Sequence, residues 1–467
     1  MFSLIFSSCR KNDVLKKEPP QFTIEQIKHV EYTLFPVRYT LHFINTSDSS
    51  AEISYRWHFG DGNTAEGYNA YHAYLKPGNY TVWLTKYKGN RAVDSASRDL
   101  KVDAIPILIK HSGEGGTFPG GIARYGDKIY LASWKSVSNS NFVPVEGVLT
   151  QYDTLWRAQW TRTFPREEGE IKQMNITANG DVLLSFVAFE GKSKLYRIDG
   201  KGNTKWSWKN THENLWVNTA TEDNQGNIII MGYGMLWKGI TIQLNATGNE
   251  NWKYFWPDAV MSNCAKPVIL GDGYVFSGSK NGSCKPRCDS VQVAKLSLDG
   301  RMVWSSTFPF ANYSDYTYYS DVFTVLDQSN HLQVFYSQSY SYYTFDLNGK
   351  YLGNHAFEVG FIPRDVLVNK KGSLLVLGTT TRDYERARLL EFKADGGTGW
   401  VYNIFKTIVD LKLVEYPDDI RPTSMYLTSD NVAMMTGRFK WNDPVFPSVA
   451  HYAGIFVCQV DADGKLY

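Results

Sequence analysis

Lys194-Leu195-Tyr196-Arg197-Ile198-Asp199-Gly200-Lys201-Gly202-Asn203-Thr204-Lys205-Trp206 decides the fold of this chain. An alternating strand runs into a polar turn that ends in Gly, and a Trp follows four residues later. The phrase returns as Gly248…Trp252, Gly300…Trp304 and Gly396…Trp400. The Trp positions step by 46, 52 and 96 residues, the last step being close to two periods; Gly349 falls midway, with Gly353 in the Trp place. A period of about 40 to 50 residues with several short strands per unit predicts a β-propeller.

Working outward, a turn followed by an apolar run occurs seven times. The runs begin at Asp127, Gly180, Gly226, Gly271, Asn330, Gly372 and Asp430. Each is expected as an inner strand buried between neighbouring blades. Residues 103–467 are therefore expected to form a seven-bladed propeller, with the closing Trp of each unit on an outer strand. The last unit lacks a final strand, and Ile105-Pro106-Ile107-Leu108-Ile109-Lys110 stands alone before the first. Pairing that segment, 105–110, with the last unit would close the ring and remove two exposed edges. The L-x-x-L-D-x-x-G-x-x-x-W phrase resembles propellers of the quinoprotein-like (PQQ-repeat-like) or outer-membrane assembly type. Asp199, Gly202 and Trp206 match it best, and Trp252 keeps it with Asn245 in the Asp place. The resemblance implies a fold and no particular chemistry.

Residues 22–102 read as a second all-β unit. Trp57-His58-Phe59-Gly60-Asp61-Gly62, then His72-Ala73-Tyr74, then Pro77-Gly78-Asn79-Tyr80-Thr81-Val82, resembles the PKD domain pattern W-x-F-G-D-G, H-x-Y, P-G-x-Y-x-V. The resemblance implies an immunoglobulin-like sandwich, with Trp57 in the core and Asp61 accepting backbone N–H groups across a tight turn. It also implies a spacer or adhesive module of an extracellular protein.

Residues 1–21 carry an address. Phe2-Ser3-Leu4-Ile5-Phe6-Ser7-Ser8-Cys9 followed by Arg10-Lys11-Asn12-Asp13 resembles the end of a Bacteroidota-type lipoprotein signal. The resemblance implies lipidation at Cys9 and a tether up to residue 21. The basic start and most of the apolar part of such a signal are missing, as expected of a truncated signal. The expected location is the outer membrane or cell surface, lipid-anchored, with a periplasm-facing placement as the alternative. The chain has 49 basic and 47 acidic residues, a net charge of +2, which argues against nucleic acid and leaves the membrane reached only through the anchor. In an oxidising compartment Cys284-Lys-Pro-Arg-Cys288 can hold one disulfide, Cys284–Cys288 or Cys264 with either partner. Cys458 sits in an apolar strand pattern and reads as a small core residue.

No nucleophile elbow, phosphate loop or His-Glu-x-x-His motif is present, so no catalytic or metal residue is assigned. No cofactor is expected: the chain lacks the Cys-Cys pair of several quinone dehydrogenases, and its Trp residues are explained by repeat packing. Arg166-Glu167-Glu168-Gly169-Glu170 and Asp418-Asp419 read as solvated connections. The candidate ligand contacts are Tyr313, Tyr316, Tyr318 and Tyr319, in a Tyr-rich connection, and Trp441, read as a loop Trp outside the repeat. Tyr336 to Tyr343 is a similar run for which strand packing is the simpler explanation.

The expected function is non-catalytic binding of a glycan or an envelope protein, with the first unit as spacer. The alternatives are a polysaccharide-acting enzyme with carboxylates in the propeller funnel, and a scaffold of an envelope assembly. Inward carboxylates beside an aromatic platform would favour the enzyme, a neutral funnel would favour binding, and a broad apolar patch would favour the scaffold.

Overall fold

The computed structural model of the protein describes residues 19–27, 40–74, 78–102, 107–110, 116–136, 144–154, 156–188, 192–210, 215–234, 238–257, 266–280, 290–309, 321–337, 339, 341–356, 361–380, 387–410, 417–442 and 450–466. The chain divides into two compact units.

The first unit is a sandwich of two antiparallel sheets. One has three strands, Phe22–Ile27, Thr40–Asn45 and Ala70–His72; the other has Thr64–Glu66, Ile53–His58, Gly78–Lys88 and Arg91–Val102. Alternation puts Tyr55, Trp57, Val82 and Leu84 inside, where they meet Phe22, Phe43 and Phe59. Trp57 is 0% exposed and donates its indole N–H to Gly67 O at 3.2 Å. At the Gly60-Asp61-Gly62 turn, Asp61 Oδ1 accepts Asn63 N–H at 3.0 Å, and Oδ2 lies 2.7 Å from His72 Nε2. The His72 ring stacks on Phe59, 4.1 Å between centroids. Burial pushes the Asp61 carboxyl up, but the hydrogen bonds from Asn63 and His72 outweigh it and hold it below the usual range.

The second unit is the propeller. Seven sheets are present among the described residues, each of four antiparallel strands. Blade 1 runs from Thr117–Tyr125 to Ala158–Pro165, blade 2 from Glu170–Ile176 to Thr204–Lys209, and blade 3 from Trp216–Glu222 to Glu250–Phe255. Blade 4 runs from Val268–Leu270 to Met302–Pro309, blade 5 from Val322–Leu326 to Tyr351–Ala356, and blade 6 from Phe361–Val368 to Thr398–Asn403. Blade 7 contains Pro417–Leu427, Ala433–Asn442 and Ala450–Val460, and its outer strand is Ile107–Lys110 from before blade 1. Ile109 pairs with Ile455 and Leu108 with Phe456. Blades 7 and 1 then share a cluster of Ile122, Ile129, Leu131, Met434, Ile455 and Val457, and Tyr426 Oη donates to Arg124 O at 2.6 Å.

The apolar runs, such as Val182–Val187 and Ile228–Tyr233, are the second strands of their blades, inner and buried between neighbouring blades as expected. A second strand is covered on both faces by neighbouring sheets and flanked on both edges, so it is apolar throughout. The innermost strands have one edge on the channel and are mixed in character.

Two sequence features make the ring. In seven of the polar turns an Asx residue at the start folds the turn by accepting two backbone N–H groups: Asp199 Oδ1 takes those of Lys201 and Asn203 at 2.8 and 2.9 Å. Asp223, Asn245, Asp327, Asp346, Asn369 and Asp461 do the same. The Gly and Trp of one phrase do not touch each other; each Trp covers the Gly turn of the next blade. Trp206 packs on Gly248 and donates to Ala246 O at 2.9 Å. Trp252 packs on Gly300 and donates to Leu298 O at 3.0 Å, and Trp304 packs on Gly349 and donates to Leu347 O at 3.1 Å. Trp160 on Gly202 and Trp400 on Gly464 extend the series. Blade 5 lacks the Trp, and His355 lies on Gly396 in its stead.

Candidate functional site: the propeller channel

The innermost strands enclose a cavity of about 1070 Å³ lined by residues of all seven blades. Its walls follow from one recurring irregularity. In five blades the innermost strand carries a β-bulge at the same place, between Pro119 and Gly121, Ile171 and Gln173, Val217 and Thr219, Pro363 and Asp365, and Pro422 and Ser424. The extra residues are Gly120, Lys172, Asn218, Arg364 and Thr423, and all five line the cavity. A bulge bends the strand and re-aims a side chain that strict alternation would place elsewhere. Lys266 and Asp321, each just ahead of the innermost strand of its blade, complete the ring in blades 4 and 5.

The ring is charged. Arg364 Nη1 lies 3.4 Å from Asp321 Oδ2, with the two side chains 34% and 31% exposed to the channel. Lys172 pairs with Glu170 of the same strand. Asp365 Oδ2 accepts Met425 N–H of blade 7 at 2.7 Å, and its Oδ1 accepts Val366 N–H at 2.9 Å. Enclosure by the surrounding strands pushes the carboxyls of Asp321 and Asp365 up, against the pull of Arg364 and Lys172 on the first and of Lys266 on the second. The same enclosure pushes the Lys266 ammonium down, against Asp365. Between blades 2 and 3 the buried Arg197 reaches Asp181 at 2.7 Å and Glu222 at 2.9 Å. Gln173 Oε1, Thr221 Oγ1 and Ser424 Oγ, all on lining residues, have no hydrogen-bond partner among the described residues.

The neutral funnel expected for a binding protein is therefore not what the blades build. The lining rings are engaged in packing: Phe323 lies against the cluster of blades 5 and 6, Tyr426 against that of blades 7 and 1, and Tyr233 stacks on Trp216. Inward carboxylates are present, with cations beside them and no free aromatic platform among the described residues.

The residues singled out from sequence fall elsewhere. Tyr313, Tyr316, Tyr318, Tyr319, Cys9, Cys264, Cys284 and Cys288 lie outside the described residues. Trp441 is not a loop residue: it belongs to the strand Ala433–Asn442 and pairs with Pro417 and His451, because this blade extends its hairpins beyond the bulge. Tyr336 and Tyr342 are buried core residues. The acidic run after Arg166 is not simply solvated, since Glu168 is buried and pairs with Lys194 at 2.6 Å, and Glu170 pairs with Lys172. Asp418 and Asp419 lie within the strand Pro417–Leu427 instead of a connection. Cys458 is free and buried, and burial raises its thiol well above the usual range.

The sequence reading missed the bulge ring because its positions share no residue type. A counting signal existed. Lys172, Asn218, Arg364 and Thr423 each stand eight residues before the positive-φ turn residue of their blade, Gly180, Gly226, Gly372 and Asn431.

An all-β protein with a PKD-like sandwich and a seven-bladed propeller is the class that these features define. Residues 30–102 match the family model of the PKD domain. Among solved structures, a streptogramin B lyase is similar at 12% identity and TM-score 0.50, over 75% of this chain and 96% of that one. A catalytically inactive virginiamycin B lyase from Staphylococcus aureus, solved with quinupristin, is similar at 10% identity and TM-score 0.50, over 75% and 97%. A quinoprotein alcohol dehydrogenase-like protein from Bacteroides thetaiotaomicron is similar at 13% identity and TM-score 0.47, over 82% and 96%. The lyases share the fold over three quarters of this chain.

Proposed function

We propose that this chain is a non-catalytic binding protein of the cell envelope. Its propeller channel takes up a glycan, and its PKD-like unit serves as a spacer from a lipid anchor at Cys9. The observation that carries the reading is the bulge ring: five blades each turn an extra residue toward one cavity, among them the cations Lys172 and Arg364. A core that only had to close would be filled with apolar side chains.

The test is a glycan array probed with the purified chain and with a Lys172→Glu, Arg364→Glu double variant. Glycans held by the parent and lost by the variant support the channel. Signals unchanged by the variant, or no glycan signal at all, contradict it. Labelling with an alkyne fatty acid in cells, abolished by Cys9→Ala, tests the anchor separately.

A second reading, polysaccharide cleavage, is favoured by the raised carboxyls of Asp321 and Asp365. Against it, both oxygens of Asp365 accept backbone N–H groups and tie blade 6 to blade 7. Reducing ends released from an array-positive glycan by the parent, and not by Asp321→Asn, would establish cleavage. A scaffold role fits less well. Among the described residues, the exposed Phe255, Val303, Leu352 and Val401 come one each from the outer strands of blades 3 to 6.

A further inference from the structure

The outer strands carry a recurring bulge of their own. In blades 1 to 5 it inserts one residue just ahead of the Trp position: Gln159, Lys205, Asn251, Val303 and Leu352. All five are exposed. A bulge on an edge strand re-aims its extra residue and twists the edge away from further pairing, so a polar residue suits the place. Blades 1 to 3 follow that rule. Blades 4 and 5 break it: Val303 is 54% and Leu352 46% exposed, and each follows another exposed apolar residue, Met302 and Tyr351. The two pairs are neighbours. Trp304, next after Val303, packs on Gly349, and Lys350 and Tyr351 follow that Gly. The Tyr351 ring lies 6.1 Å from Phe308 of blade 4. Charges flank the apolar pairs. Arg301 Nε meets Asp299 Oδ2 at 3.1 Å in an exposed ion pair. Lys350 is exposed, and its ammonium has no partner among the described residues.

We propose that this part of the rim is the interface of a homodimer, formed about a two-fold axis at the joint of blades 4 and 5. Met302 and Val303 of one copy pack on Tyr351 and Leu352 of the other, and the axis repeats the contact in reverse. An isologous contact accounts for an apolar pair that occurs twice, at equivalent positions of adjacent blades. The charges favour a second copy over a lipid surface. The two turns contribute Arg301 and Lys350 against Asp299 and Asp346, which cancel, so an anionic bilayer meets no net positive field. A second copy uses both signs, because the same axis brings the free Lys350 ammonium of one copy toward the exposed Asp299 of the other. An apolar centre with a charged rim is the make-up of a protein interface, and four large side chains per copy place this one at the small, weak end of the range. The inference is independent of what the channel holds.

The test is analytical ultracentrifugation of the full chain over a concentration series, with reducing agent present so that no disulfide links two copies. It is repeated with a Val303→Lys, Leu352→Lys double variant, with Lys350→Asp, and with Lys350→Asp combined with Asp299→Lys, after circular dichroism has established that each folds. The expected result is a reversible dimer whose dissociation constant rises at least about tenfold in the apolar double variant. Lys350→Asp weakens the dimer as well, and adding Asp299→Lys restores it. A chain that stays monomeric throughout, a dimer indifferent to the double variant, or a charge exchange that restores nothing overturns the inference. So does a monomer that sediments with phosphatidylglycerol vesicles and loses this in the double variant, which would assign the rim to a lipid surface.

Discussion

Along the outer strands, Trp206, Trp252 and Trp304 make one and the same contact in three successive blade pairs; around the channel, equivalent bulge positions hold Gly120, Lys172, Asn218, Arg364 and Thr423. The outer contact is a fixed joint. Its ring face needs a turn without a Cβ, and its indole N–H needs the carbonyl two residues before that Gly. The channel position needs only an extra residue, and its side chain differs from blade to blade; at Gly120 alone of the five a Cβ would run into Ile171, at 2.3 Å. The difference separates what holds the wheel together from what the wheel presents. It also predicts that stability and binding respond to different substitutions.

The largest stability loss is expected at a joint. Gly300 has φ +81°, and a Cβ there would stand 2.6 Å from Trp252 Cδ2. Gly300→Val adds backbone strain to overpacking and should cost about 3 kcal/mol, read from the urea midpoint of the propeller transition. Trp252→Ala removes half-buried ring area and the bond to Leu298 O, and about 2 kcal/mol is expected. The joint between blades 5 and 6 gives the internal control. His355 is exposed, so His355→Ala should cost less than about 1 kcal/mol. A His355→Ala loss equal to that of Trp252→Ala would break the distinction between the joints.

The channel should respond in the opposite sense. The folded-state pKa of Asp321 is raised above its unfolded value, so its contribution to stability is complete below the unfolded pKa and is lost as pH rises through the folded one. Asp321→Asn, which mimics the protonated acid, should therefore be more stable than the parent at pH 7, with the gap closing as pH falls toward the unfolded carboxylate range of about 4. Asp61 in the sandwich has the reverse shift. Its contribution is present above the unfolded pKa and is lost as pH falls through the lowered folded value. Asp61→Asn should accordingly destabilise the first unit at pH 7 and converge with the parent in acid. Urea melts across this pH range, followed on each unit's own transition, check both signs.

The same contrast explains what the sequence disclosed. Trp57, Gly60-Asp61-Gly62 and the Gly…Trp phrase are readable because each demands a particular residue type: a large core ring, an Asx turn, a Cβ-free seat for an indole. Seven apolar runs were countable for the same reason, although which strand of the blade they formed was not. The channel was opaque because Lys172, Asn218 and Arg364 owe their position to a backbone irregularity, which leaves no signature in residue identity. Tyr313 and its neighbours drew attention through composition alone, and Trp441 was misplaced because a strand continued where a turn-rich sequence suggested a loop.

Hydrogen–deuterium exchange of the chain with and without its strongest array-positive glycan tests most directly whether the bulge ring is where ligand sits. Binding in the channel should slow exchange in Glu170–Ile176, Phe361–Val368 and Pro417–Leu427, the innermost strands around Lys172, Arg364 and Thr423. Protection confined to the outer strands or to the first unit, with these three segments unchanged, would contradict the account.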